Sequence, residues 1–369
     1  MQPSDLPLSK LCGQLIVGGF PGTSLPDSYA EALRAGLRGG AILFRRNVPD
    51  LATTHALCCA IRDAAGPDLP PFIGVDQEGG RVARMPSPFP KLPPMRLLGA
   101  VGDASLARRA GRLIGEELAA VGFNLDFAPV LDVDSNPDNP IIGDRAFGRT
   151  AAEVAELAVA FGLGLEDAGV LSCGKHFPGH GDTSVDSHVA LPIVHHGMDR
   201  LDAVELVPFR AAARAGLATM MTAHVVVTSI DASVPATLSR AVCTDLLRGA
   251  VGFRGVLFSD DLEMAAVAAQ YPVEHSAVAS IRAGCDVLLV CSNMEWQERA
   301  HAALVAEAER DSGFRERCVE AAGRALEARR KMPPKPADDA ASLATRVGRP
   351  ASVALHDEIT RRAAAAGVA

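Results

Sequence analysis

The sequence is poor in aromatic residues, which make up 4% of the chain and include one tryptophan and two tyrosines. Extended binding grooves commonly stack ring-shaped groups on aromatic faces, so a small pocket is expected rather than an extended groove. An excess of one charge is also missing. The formal net charge is −8 with the two signs interspersed, which argues against nucleic acid or an anionic membrane as the main partner. No CxxC occurs among the eight cysteines, which excludes a zinc ribbon and a thioredoxin-type motif. Cys173, Cys285 and Cys291 lie in or beside apolar runs and read as reduced core thiols. No apolar run approaches the ~20 residues that span a bilayer. The opening Met1-Gln2-Pro3-Ser4-Asp5 has no basic region and no apolar stretch behind it, so neither a signal peptide nor a lipidated Cys12 is expected. These absences together predict a cytoplasmic protein, and nothing in them requires more than a monomer.

What is present is a large apolar fraction, 48% of 369 residues, enough for a substantial core. It is organised as eight short runs: Leu15–Gly18, Ala41–Phe44, Phe72–Val75, Leu125–Ala128, Val170–Cys173, Thr219–Thr222, Val256–Ser259 and Val287–Val290. Between them lie Ala-, Leu-, Glu- and Arg-rich segments with helical apolar spacing, such as Ala151 to Glu166 and Leu201 to Ala215. Alternating strands and helices imply a parallel α/β sheet, and eight repeats imply a closed (β/α)8 TIM barrel. An open doubly wound sheet is the alternative, but no GxGxxG follows the first strand. Residues 1–330 are expected to form the barrel domain. Residues 331–369 are expected to be a C-terminal tail, loop-like from Lys335 to Gly348 with a short helix from Asp357 to Ala366.

Polar residues gather just past the ends of the runs, where a barrel brings them to one face. Asp76-Gln77-Glu78-Gly79-Gly80-Arg81 follows the third run, with Arg84 beyond the glycines. Asp132, Asp134 and Asp144-Arg145 follow the fourth, His224 the sixth, and Asp260-Asp261 the seventh. The fifth run leads into Lys175-His176-Phe177-Pro178-Gly179-His180-Gly181-Asp182-Thr183-Ser184-Val185-Asp186-Ser187-His188. Its glycines and proline suit a loop rather than a helix or strand.

Several chemistries fit these residues. His176 and His180 form an HxxxH, which keeps a metal site open. Barrel metallohydrolases, however, typically carry an HxH on the first strand, and Leu15–Gly18 has no histidine near it. The expectation is therefore no metal and no cofactor. Asp186 and His188 lie two residues apart in a loop, where the carboxylate can orient the ring and raise its basicity, making His188 a candidate acid/base. Successive strand side chains point to opposite faces, so only one of Asp260 and Asp261 can face the barrel mouth while strand geometry persists. A lone carboxylate there suits attack on an acetal carbon. A substrate-assisted mechanism using both aspartates stays open. Asp76, Arg84, Arg145 and Lys175 offer charge-assisted bonds to sugar hydroxyls and an amide carbonyl. His195 and His196 read as solvated or structural, and His224 as either structural or functional.

The Lys175-to-Thr183 run with Asp186-Ser187-His188, together with Gly255-Val256-Leu257-Phe258-Ser259-Asp260-Asp261-Leu262, resembles glycoside hydrolase family 3 in its single-domain β-N-acetylhexosaminidase branch. Asp76 to Val82 and Asp144-Arg145-Ala146-Phe147-Gly148 fit as well, and the resemblance runs from about Leu11 to Arg330. It implies that Asp260 is the nucleophile forming a glycosyl-enzyme, His188 the general acid/base and Asp186 its partner. It further implies that Asp76, Arg84, Arg145, Lys175 and His176 bind a terminal N-acetylglucosamine. The implied substrates are cell-wall fragments carrying that sugar on 1,6-anhydro-N-acetylmuramic acid and its peptides, met during wall recycling. Phosphorolysis on the same scaffold, a metal-dependent TIM-barrel hydrolase and a non-catalytic sugar-binding role are the alternatives.

Overall fold

The computed structural model of the chain describes residues 2–183 and 191–367. The eight apolar runs form eight barrel strands: β1 (Ile16–Gly18), β2 (Gly40–Leu43), β3 (Phe72–Val75), β4 (Leu125–Asp126), β5 (Leu171–Phe177), β6 (Thr219–Thr222), β7 (Val256–Asp261) and β8 (Val287–Val290). Each pairs in parallel with its successor, and β8 pairs with β1, closing the barrel. This is the (β/α)8 architecture. The interior is packed with large side chains, as the strand alternation requires. Phe258 meets Phe72 and Phe127 edge-on, at centroid distances of 5.3 and 5.5 Å.

Helices including Leu51–Ala65, Ala104–Val121 and Ala151–Asp167 surround the sheet and bury their apolar faces on it. Thr150 caps the last of these, its hydroxyl accepting from Glu153 N while the Glu153 carboxylate accepts from Thr150 N. The single helix expected from Leu201 to Ala215 is instead two, Met198–Ala203 and Leu206–Ala215. Pro208 explains the break. It has no N–H to give to the carbonyl four residues earlier, and a helix restarting at Leu206 places it in the first turn, where that donor is not needed.

The C-terminal segment carries more helix than its sequence suggests. Asp339 caps a helix over Ala340–Arg346, within the stretch expected as loop, and a second helix runs over Pro350–Ala365, longer than expected. Both lie outside the barrel, tied to the helix Ala104–Val121 by buried Glu117, which accepts from Gly348 N at 2.9 Å and from the Ser352 hydroxyl. Among the described residues no helix is long and apolar enough to cross a membrane.

The helix Ser312–Lys331 underlies the N-terminal ends of the strands. Its Ala325 and Ala328, with Met332 just beyond, pack against the barrel interior. Arg329 is fully buried there, with its guanidinium 5.0 Å from the Phe72 ring centroid, Nη1 donating to Gly39 O and Nη2 to Gln14 Oε1. Asp286, also fully buried, accepts from Arg248, Arg317 and Arg324 and from Leu257 N. Burial pushes the Asp286 carboxyl up, but the three guanidiniums outweigh it and hold the group below its usual range. Removing one partner of a buried ion pair leaves uncompensated charge. Asp286→Ala is therefore expected to lower the free energy of unfolding by about 3–5 kcal/mol, read by urea denaturation. A change of under about 1 kcal/mol would mean the arginines are effectively solvated.

Candidate active site

The C-terminal ends of the strands surround a cavity of about 330 Å³. Asp76, Arg84, Arg145, Lys175, His176 and Asp260, all expected from sequence, line it together. Asp186 and His188 lie outside the described residues.

Two bulges supply much of this lining. The β5–β6 register passes from Gly174↔Met220 to Phe177↔Thr222, three residues against two. The extra residue allows Lys175 and His176, neighbours in sequence, to reach the same cavity. The Lys175–His176 peptide is cis. The β7–β8 register passes from Phe258↔Val287 to Asp261↔Leu289, again three against two. The regular strand geometry under which only one of Asp260 and Asp261 would face the mouth does not hold there. Strict alternation fails at the bulge, and both aspartates line the cavity.

The cationic groups are held by a chain of alternating charge. Arg84 Nη2 lies 3.6 Å from Asp76 Oδ2, and Lys175 Nζ lies 2.8 Å from Asp76 Oδ1 and 2.7 Å from Glu78 Oε1. Glu78 also receives Arg145 through two parallel bonds of 2.8 Å, the fork geometry that suits a guanidinium and a carboxylate. Burial raises the Glu78 carboxyl, but Arg145 and Lys175 outweigh it and hold the group well below the carboxylate range. Burial likewise opposes the Lys175 charge, and Asp76 and Glu78 restore it. Glu78 was not among the expected site residues. The available signal was its spacing, since in extended backbone a residue two past Asp76 lies on the same side of the chain.

Asp132 organises the histidines. Its Oδ2 bonds His176 Nδ1 at 2.7 Å, and its Oδ1 accepts from His180 N at 2.7 Å. His180 Nδ1 meets Thr183 Oγ1 at 2.6 Å, and burial followed by the nearby His176 pushes its imidazole down to about 4. Among the described residues no group of three or more His, Cys, Asp or Glu is arranged to hold a metal ion. Two glycines allow the close packing. Gly179 has φ +128°, and a Cβ on Gly181 would sit 1.8 Å from Val133 O. His196 contacts Asp182, whose other oxygen accepts from Ser135 at 3.2 Å.

The adjacent aspartates differ electrostatically. Burial raises Asp260, but His224, His176 and the Asp261 N–H outweigh it, leaving the carboxyl below its usual value. Asp261 is pushed up to about 7 by burial and by the Glu263 carboxylate. A half-buried anion thus stands at the end of β7, facing a sugar-sized cavity rimmed with donors. That arrangement suits attack on an electrophilic carbon bearing a polar, hydroxyl-rich group.

The glycosyl hydrolase family 3 N-terminal domain matches residues 9–322. The chain belongs to glycosyl hydrolase family 3. It is a glycoside hydrolase. A β-hexosaminidase of Thiobacillus denitrificans is 44% identical over 289 residues, covering 77% of this chain and 79% of that protein. The structure of a family 3 β-N-acetylglucosaminidase from a Paenibacillus species is 40% identical, with TM-score 0.90, covering 97% of this chain and 69% of that one. NagZ from Neisseria gonorrhoeae, solved with N-trifluoroacetyl-D-glucosamine, is 36% identical with TM-score 0.68, covering 84% of this chain and 97% of that one.

One buried acid of this family 3 hydrolase gives a pH test. Asp126 is fully buried; its Oδ1 accepts from Gln77 N at 2.9 Å, and its Oδ2 has no hydrogen-bond partner among the described residues. Burial pushes its carboxyl up to about 8. An acid raised on folding binds more protons folded than unfolded between its two pKa values, so it removes stability as pH rises through that interval. Asp126→Asn keeps the acceptor and abolishes the titration. Relative to wild type, its free energy of unfolding should rise by more than about 1.4 kcal/mol between about pH 5 and about pH 8, the worth of one pKa unit. Parallel pH profiles for the two proteins would contradict the neutral state of Asp126.

Proposed function

We propose that this enzyme is a retaining exo-β-N-acetylglucosaminidase, releasing terminal β-linked N-acetylglucosamine through a covalent glycosyl-enzyme. The observation that carries the proposal is the ionised Asp260 in the same cavity as the Asp76–Lys175–Glu78–Arg145 chain. The names of the relatives, a β-hexosaminidase and a β-N-acetylglucosaminidase, support the choice of sugar.

In the first step an Asp260 oxygen bonds to C1 as the C1–aglycone bond breaks. The departing oxygen takes a proton from His188, a role resting on the family resemblance, with Asp186 orienting its ring. In the second step water attacks C1, gives its proton to His188 and releases Asp260, so the anomeric configuration is retained. Asp76, Arg84, Arg145, Lys175 and His176 grip the sugar through hydroxyl and amide contacts. The pocket's size suits one sugar. The substrates we assign are peptidoglycan fragments carrying N-acetylglucosamine on 1,6-anhydro-N-acetylmuramic acid, handled by a cytoplasmic monomer during wall recycling.

Kinetics separate the two catalytic roles. Asp260→Ala should abolish turnover of every substrate, because each needs the C1–oxygen bond. Acid/base assistance is worth about 10²–10⁴-fold, and a nitrophenolate leaving group needs little of it. The loss in kcat/KM for His188→Ala should thus be larger on a disaccharide than on a nitrophenyl glycoside, with azide restoring part of the latter turnover. Equal losses without azide rescue would remove His188 from the role and favour a substrate-assisted mechanism using Asp260 and Asp261.

Two solution tests bound the proposal. Turnover should survive EDTA; loss on chelation and recovery with zinc would favour a metallohydrolase. The product formed in phosphate should be the free sugar, and a sugar 1-phosphate would identify phosphorolysis. Sugar binding without turnover of any β-linked substrate would identify a non-catalytic binding protein.

A further inference from the structure

Behind Asp260 runs a set of hydrogen bonds that the proposed reaction does not use. Asp260 N–H donates to Thr222 Oγ1 at 3.3 Å. Thr222 Oγ1 lies 2.8 Å from Thr237 Oγ1, which lies 2.8 Å from His224 Nδ1. His224 Nε2 is 2.9 Å from Asp261 O. Thr222, Thr237 and His224 are each fully buried. The path leaves the chain at the amide of Asp260 and returns to it at the carbonyl of the next residue.

The partners fix the direction of the bonds at the two ends of the path. A carbonyl oxygen only accepts, so His224 Nε2 carries a hydrogen. His224 Nδ1 and Ala223 O, the latter at 3.1 Å, both lie within reach of the Thr237 hydroxyl. Thr222 and Thr237 share one hydrogen between their oxygens, and the Thr222 oxygen accepts from Asp260 N–H. The bonds make an unbroken buried path, in which each bond polarises the next.

The circuit sits where the strand is irregular. The β7 bulge removes ladder pairing beside Asp260, so regular sheet bonds do not fix the backbone there. Thr237 comes from a short turn, Ala236–Leu238, that is not a barrel strand and is anchored by Ala236 N donating to Val225 O at 2.8 Å. The carboxylate is fixed in turn by Asp261 N, which donates to Asp260 Oδ1 at 2.8 Å. Moving the Asp260–Asp261 peptide would therefore turn the carboxylate as well.

We infer that Thr222, Thr237 and His224 are positioning residues, a closed hydrogen-bond circuit that fixes the peptide of Asp260 and so aims its carboxylate at C1. The inference rests on the proposed nucleophilic role of Asp260. Misplacing a reacting group by about 1 Å lowers rate by about 10²-fold. It should do so without weakening the grip on the sugar, because the binding groups come from β3, the β4 loop and β5.

Thr237→Val keeps the shape and removes the hydroxyl, whereas Thr237→Ser keeps the hydroxyl. For Thr237→Val, kcat/KM should fall about 10²-fold, equally on a nitrophenyl N-acetyl-β-glucosaminide and on a disaccharide. The inhibition constant of free N-acetylglucosamine should stay within about twofold, since ground-state binding is untouched. Thr237→Ser should recover most of the rate. Thr222→Val should repeat the pattern, and it decides the matter if Thr237→Val does not fold. Wild-type rates in both valine variants, or a loss appearing in the inhibition constant instead, would overturn the circuit and leave the proposed reaction intact. Absence of turnover in the wild-type enzyme would overturn the reaction and the circuit together.

Discussion

A single carboxylate, Glu78, makes the charged wall of the cavity possible. Lys175 and Arg145 come from different segments, and both are nearly buried in the structure. Without an anion between them they would repel each other, and burial would drive the lysine toward neutrality. Glu78 takes both, and Asp76 extends the alternation to Arg84. The result is a row of charges, Arg84, Asp76, Lys175, Glu78 and Arg145, in which each cation has an anionic neighbour. A polar surface assembled this way is stiff, because moving one group unpairs two others. Stiffness is what a site requires if binding is to orient a sugar rather than merely hold it.

The carboxyl groups around this row fall into two electrostatic kinds. Glu78 and Asp260 are held below the ordinary range by cations and N–H donors, whereas Asp126 and Asp261 are pushed up by burial. The separation is sharpest between the neighbours Asp260 and Asp261. Glu263 lies on the Asp261 side and His224 is the leading favourable influence on Asp260. Adjacent acids sharing a strand end are therefore shifted in opposite directions, which favours negative charge on the one proposed to attack.

Much of this was legible in the sequence. The eight apolar runs became the eight barrel strands because short buried parallel strands show as near-continuous apolar stretches. The polar residues beyond their ends converged for the same topological reason. Bulges, by contrast, have no periodic signature. Alternation therefore allowed only one of Asp260 and Asp261 at the mouth while strand geometry persists, and nothing in the composition showed where that geometry breaks or how both Lys175 and His176 could reach the cavity. Glu78 was hidden by its position inside a motif whose first aspartate drew the assignment. Pro208 did mark the helix break, but the apolar spacing on either side ran through it. The helix over Ala340–Arg346 lies in a proline- and aspartate-rich setting and depends on its Asp339 cap.

The guanidinium under the barrel sets an order of assembly. Arg329 reaches Gly39 across 290 residues of chain and Gln14 across 315. On the ribosome all eight strands emerge before it does. Until then Phe72 and its neighbours at the strand bases have no cover, and the carboxylate of Asp286 lacks two of its three arginines, Arg317 and Arg324. The nascent chain is thus left with an open, apolar base during most of its synthesis, and the closing contacts carry the entropy of a very long loop. The contacts that cover the base of this barrel become available only with the last turns of one helix.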